Sequence, residues 1–73
     1  MVFDRICEII ADKLRMDKSL IRPESSFTEM RADSLYMVEI MLSIEEKFNI
    51  TIDEASDMET VAELCAYVES QLK

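Results

Sequence analysis

Ser34, set between Asp33 and Leu35 at what reads as the start of a helix, is the residue whose type and place most suggest chemistry. A catalytic serine needs a general base, and the chain has no histidine. A serine–lysine arrangement would depend on Lys47 or a lysine still farther off, and without glycine no Gly-rich oxyanion or phosphate loop can form. Cys7 and Cys65 both fall on apolar stripes, where a thiol serves as a small hydrophobe, and no cluster has the spacing of a zinc site. The acids between Asp53 and Glu59 lack the spacing and the mid-loop glycine of an EF-hand, so no metal site is expected. Two roles remain for Ser34. It is a plain helix-start residue, or it accepts a modification that another enzyme installs. The first turn of a helix suits a phosphate ester, because free amides and the helix dipole favour an anion there.

The elements that position this serine read as helices. Phe3, Ile6, Cys7, Ile10 and Leu14 recur at the spacing of one helical face, and Val61, Leu64, Cys65, Val68 and Leu72 repeat it near the C-terminus. Thr60 and Glu63 form a capping box that starts the last helix. Asp33 is the N-cap of a helix over roughly 34–48, and Asn49 ends it as the residue best able to adopt a left-handed cap in a glycine-free chain. Ile52–Met58 has room for one or two helical turns. About 17 residues, Met16–Ala32, link the first two helices, longer than most structureless loops. Pro23 and the pair Ser25-Ser26 keep this segment from being helical, while Leu20, Ile21, Phe27 and Met30 are expected to pin it across the core. The expected fold is all-α: a small four-helix bundle, three main helices and one short, in a single domain over residues 1–73.

The second helix carries more apolar surface than a core stripe requires. Met37, Ile40, Met41, Ile44 and Phe48 group on one side. Leu35, Val38 and Leu42 form a second group, and the combined arc of ~220° far exceeds the ~100° of an ordinary surface helix. Glu39, Glu45 and Glu46 border the second group. Either the helix is buried nearly all round, or Leu35, Val38 and Leu42 stay in solvent as an apolar docking strip rimmed by carboxylates. So small a chain has few elements with which to enclose a helix, which favours docking.

Charge placement narrows the partners. Residues 1–31 balance six bases against six acids, so the net charge of −8 lies entirely in residues 32–73. Such a surface repels nucleic acid and anionic lipid, and suits proteins with basic docking patches. The cysteines are too few for a disulfide scaffold, and no apolar run has the length of a signal peptide or a membrane span. A cytoplasmic monomer is expected.

These residues resemble the acyl carrier protein family. "ADSL" (Ala32–Leu35) looks like that family's attachment motif, with Ser34 at the serine that bears the phosphopantetheine arm. "VEIMLSIEEKFNI" (Val38–Ile50) is similar to its second helix, "PESSFTEM" (Pro23–Met30) to the loop before the motif, and "IDEASDMETVAEL" (Ile52–Leu64) to its short third helix and the start of its fourth. The likeness covers nearly the whole chain. Departures are Arg31, where the family usually has glycine, Tyr36, where an acid is common, and Lys47, where many members have a third glutamate. Arg31 adds a positive charge near the arm, and Tyr36 and Lys47 dilute the acidic rim.

The resemblance implies a carrier without catalytic activity. A phosphopantetheinyl transferase would move phosphopantetheine from coenzyme A to Ser34, and the terminal thiol would hold acyl groups as thioesters. Asp33 would support the serine. Leu35, Val38, Glu39, Leu42, Glu45 and Glu46 would meet acyl-processing enzymes with basic patches. The "ADSL" form is nearer to fatty-acid carriers than to peptidyl or D-alanyl carriers, with polyketide or other specialised assembly as the alternative pathway. The rival from another class is an acidic helical interaction module in which Ser34 only starts a helix. The acyl chain is expected to fold back against the core stripes (Phe3, Ile6, Ile10, Ile40, Ile44, Val61, Leu64, Val68), with Met37, Met41 and Met58 close by.

Overall fold

In a computed structural model, residues 2–52 and 58–72 are described. They form three α-helices: α1 (Val2–Leu14), α2 (Ser34–Phe48) and α3 (Val61–Gln71), with a 3-10 turn at Lys18–Leu20. No strand occurs among the described residues; the nearest thing to one is a single antiparallel bridge between Ser26 and Thr60. The fold is all-α. The short helix expected over Ile52–Met58 falls largely outside the described residues.

Each helix end has a local cause. Asp33 Oδ1 accepts the Tyr36 amide at 3.2 Å, so one of α2's orphan donors is satisfied by its own N-cap. At α3 the capping box is complete. The Glu63 amide donates to Thr60 Oγ1 at 3.2 Å, and the Thr60 and Glu59 amides donate to Glu63 Oε1 at 3.0 and 2.8 Å. Those donors hold the Glu63 carboxyl below its usual range, since they bond the charged form. Asn49 closes α2 at φ 57, and the Ile50 amide reaches back to the Glu45 carbonyl at 3.1 Å, the long bond of a Schellman cap.

The core gathers Ile6, Cys7 and Ile10 from α1, Ile40, Met41 and Ile44 from α2, and Val61, Leu64, Cys65 and Val68 from α3. Phe3 and Leu14 pack at its edge, half-buried. Leu72 departs from expectation: it lies past the end of α3 and is exposed, because no described element covers it. α1 packs closely against both of the other helices.

The long loop is held by main-chain bonds as well as by side chains. The Val61 and Ala62 amides, orphans of α3's first turn, donate to the carbonyls of Ser25 (3.0 Å) and Pro23 (2.8 Å), while the Phe27 amide donates to the Glu59 carbonyl at 2.8 Å. Ser25 and Ser26 do more than discourage helix. Their hydroxyls accept the Arg22 and Glu29 amides at 2.9 Å each and so fix two turns. Ile21 and Phe27 are buried and Met30 half-buried, as expected of pins. Leu20 is not a pin. It is 64% exposed, because the 3-10 turn capped by Asp17 directs the next residue, Ile21, into the core instead.

Among the described residues, three non-glycine residues hold left-handed backbone: Arg15 (φ 56), Arg31 (φ 60) and Asn49 (φ 57). At Arg31 the chain turns back on itself, with the Ala32 amide bonded to the Phe27 carbonyl at 2.9 Å, which buries Ala32 and leaves Asp33 free to cap α2. This is a position at which glycine costs nothing sterically and an L-residue is strained. Arg31→Gly should therefore stabilise the fold by about 0.5–1 kcal/mol, after allowing for glycine's greater chain entropy, and raise the melting temperature by roughly 2–8 °C. Asn49→Gly should be close to neutral, since Asn tolerates this conformation best. Thermal unfolding followed by circular dichroism checks both, and an unchanged or lower melting temperature for Arg31→Gly would show that the left-handed turn stores no strain.

Candidate functional site

Ser34 is the first residue of α2 and is exposed. The Asp33 cap draws in the Tyr36 amide and the Asp33 carbonyl takes the Met37 amide at 2.9 Å. The Ser34 and Leu35 amides are thereby left with no acceptor among the described residues. An exposed hydroxyl thus stands beside two unpaired amides at the positive end of a helix, which suits a phosphate ester. Lys47, thirteen residues farther along the same helix, lies roughly 20 Å away and cannot serve Ser34 as a base.

Ser34 also lies on the wall of a cavity of about 660 Å³. Its exposed lining residues are Ser34, Thr28, Val38, Leu42 and Glu59, which mark the open side. Deeper, half-buried or buried, are Phe27, Ala32, Met37, Met41, Glu45, Ile52 and Met58. The three methionines expected near such a space all line it. Of the core stripes, Ile6, Ile10, Ile40, Ile44, Val61, Leu64 and Val68 are fully buried and do not line this cavity. The cavity instead opens on the flank of α2 that faces Phe27 and Met58. No local pattern marks Thr28 and Glu59 as its lining, because they meet α2 through the main-chain bonds between the long loop and the start of α3.

The second apolar group of α2 is in solvent. Leu35 is 67%, Val38 55% and Leu42 56% exposed, so of the two arrangements open to this helix the structure adopts the uncovered one. Tyr36 is exposed beside them. Glu39 and Glu46 are exposed as well, but Glu45 is half-buried, and its Oε2 accepts the Ile52 amide at 2.7 Å. Val38 and Leu42 belong both to this strip and to the cavity rim, so strip and cavity are one continuous apolar surface beginning at Ser34.

Among the described residues no group of His, Cys, Asp or Glu could hold a metal ion, and no helix is long and apolar enough to cross a membrane. Cys7 and Cys65 are buried on α1 and α3. Burial pushes the Cys65 thiol up to about 11, with nearby Cys7 and Glu69 adding to the effect; burial likewise raises Cys7, partly offset by Lys18.

The family model described as "Phosphopantetheine attachment site" matches residues 4–68. The acyl carrier protein of Lactococcus lactis subsp. cremoris is 42% identical over 69 residues, covering 94% of each chain. That of Streptococcus pneumoniae serotype 4 is 42% identical over 72 residues, covering 99% of this chain and 97% of its own. That of Helicobacter hepaticus is 38% identical over 71 residues, covering 93% of each. An all-helical domain with an attachment site for phosphopantetheine is the class these findings define, and within it the chain belongs to the acyl carrier protein family. Phosphopantetheine is the covalent prosthetic group of that family, and the residues around Ser34 fit it: an accessible hydroxyl, free first-turn amides and an adjoining apolar cavity.

The thiols of the chain itself should be poor nucleophiles. At pH 8 only about a thousandth of Cys65 would be thiolate, and both sulfurs are enclosed, so maleimide labelling of native protein should run at least about a hundredfold slower than in denaturant. Rapid labelling of Cys65 in the native state would mean that α3 opens readily.

Proposed function

We propose that Ser34 is the attachment residue, and that the chain, as a single carrier domain, presents acyl groups to the enzymes of fatty acid biosynthesis. The observation that carries this reading is that one exposed hydroxyl sits at the N-terminus of α2 and at the rim of the cavity together. In the transfer, Ser34 Oγ would attack the phosphopantetheine phosphorus of coenzyme A, so that a serine phosphodiester forms as the phosphoanhydride P–O bond breaks and the adenosine bisphosphate leaves. The Ser34 proton passes to a base of the phosphopantetheinyl transferase, for the chain has no histidine of its own. Asp33 keeps the serine on the first turn. Once attached, the arm supplies a terminal thiol that holds the acyl group as a thioester.

The other residues handle the acyl chain and its enzymes. Phe27, Met37, Met41, Ile52 and Met58 offer the chain an apolar surface, and methionine adapts to fillings of different shape. Leu35, Val38 and Leu42 give contact area to partner enzymes, while Glu39 and Glu46 draw basic patches toward it. Rim charges of this kind mainly speed encounter, which suits a carrier that must leave each enzyme again. The reading also keeps the carrier monomeric and cytoplasmic.

Incubation with coenzyme A and a broad-specificity phosphopantetheinyl transferase should add the mass of one arm to the wild type and none to Ser34→Ala, as read by intact-mass spectrometry. A wild type that stays unmodified, or a Ser34→Ala protein that still gains the arm, refutes the assignment. Leu42→Asp places a charge on the strip without touching Ser34. It should lower kcat/KM for the same loading reaction by at least about tenfold with the fold unchanged; an unaltered rate would mean that the transferase does not use the strip.

A further inference from the structure

Arg31 is a cation whose side chain the fold does not use. It is exposed, and its guanidinium makes no ion pair or hydrogen bond among the described residues, although Glu29 and Asp33 flank it in the chain. The Asp33 carboxylate accepts the Tyr36 amide instead. The Arg31 backbone, by contrast, is held from both sides. Its amide donates to the Thr28 carbonyl at 3.0 Å, and its carbonyl accepts the Asp33 amide at 3.1 Å. Glycine would hold the same left-handed turn without strain, so the turn does not require this side chain.

The surroundings put the cation beside Ser34. Three residues of chain separate the two Cα atoms by no more than about 11 Å, and the reversal at Arg31 brings them closer than that. An open recess lined by Thr28, Arg31, Ala32 and Asp33 adjoins the cavity, for Thr28 and Ala32 line both. Arg31 therefore stands on one side of a shared wall and Ser34 on the other. A phosphodiester on Ser34 would add a negative charge to the part of the chain that already carries the whole net −8. Arg31 is the base nearest to Ser34 in the chain; Arg22 and Lys47 follow, twelve and thirteen residues away. A guanidinium matches two phosphate oxygens with two parallel N–H donors, which no ammonium does.

We propose that Arg31 binds the phosphodiester of the arm carried by Ser34, closing from the loop side a clamp whose helix side is the free Ser34 and Leu35 amides. The proposal rests on the reading of Ser34 as the attachment residue. The charge that loading adds is then offset where it arises. The first bonds of the arm are also drawn over Thr28 and Ala32, at the rim of the cavity. Arg31 thus opposes stability in the bare protein, through its left-handed backbone, and supplies stability in the loaded one.

Two variants isolate the guanidinium. Arg31→Gln keeps a side chain on the left-handed residue and removes its charge; Arg31→Lys keeps the charge and loses the fork. Each protein is melted unmodified and again after loading with the arm from coenzyme A, at low ionic strength. The change in melting temperature on loading should be roughly 2–6 °C more favourable in wild type than in Arg31→Gln, with Arg31→Lys between them. At about 1 M salt the three should converge. In nitrogen-15 NMR spectra of wild type, solvent exchange of the Arg31 Nε–H should slow several-fold on loading. The phosphorus-31 resonance of the arm should differ between native wild type and native Arg31→Gln and coincide in denaturant. Equal loading shifts in wild type and Arg31→Gln overturn the clamp, as does an Nε–H whose exchange loading leaves unchanged. If Ser34 never takes the arm, the attachment reading itself falls; if the arm loads and the two shifts coincide, only the clamp does.

Discussion

The start of α3 and the long loop hold each other through main-chain hydrogen bonds, and the position of Ser34 depends on them. A helix begins with amides that have no partner inside it. Here the Val61 and Ala62 amides find the carbonyls of Ser25 and Pro23, and Phe27 returns a bond to Glu59. Through this clasp a loop too long to order itself is carried across the molecule to deliver Phe27 and Ala32 to the core. The left-handed Arg31 then turns the chain so that Asp33 can start α2. Without the clasp α2 could still form, but its first residue would no longer stand beside Thr28 and Glu59 at the rim of a cavity.

α2 serves two masters with its two apolar faces. Ile40, Met41 and Ile44 join the core, while Leu35, Val38 and Leu42 contribute nothing to it and remain in water. In so short a chain, where apolar area is scarce, leaving three large side chains exposed forgoes stability that burial would have supplied. The same holds for the charge. Net −8, concentrated beyond residue 31, leaves like charges close together with few bases to relieve them. Both features go unrewarded within the molecule, and both fit the docking of basic proteins proposed above.

The chemistry of the site was visible in the residues because its parts are local. The cap at Asp33, the capping box of Thr60 and Glu63, and the left-handed Asn49 each involve groups no more than about four residues apart, and each is found where the sequence puts it. The core stripes of the three helices were likewise legible, apart from Leu72 at the C-cap of α3. Misreadings came where distant segments meet. Leu20 is expected inside and lies outside, and the cavity opens beside the core stripe of α2, between Phe27 and Met58. Glu45 looked like its exposed neighbours until the chain reversal brought Ile52 to it.

By itself, then, the amino-acid order determined which residues share a helical face, where those helices start and stop, and that a serine without a base waits at one of their tips. Helical periodicity and capping are settled within a turn or two, so a linear text records them. Tertiary structure alone decided which faces are covered, that Arg31 must sit in a glycine's conformation, and that a space is left between Phe27, Met58 and α2. Those outcomes depend on what a segment thirty residues away brings to the same place, and burial is a property of the pair of surfaces, not of either one.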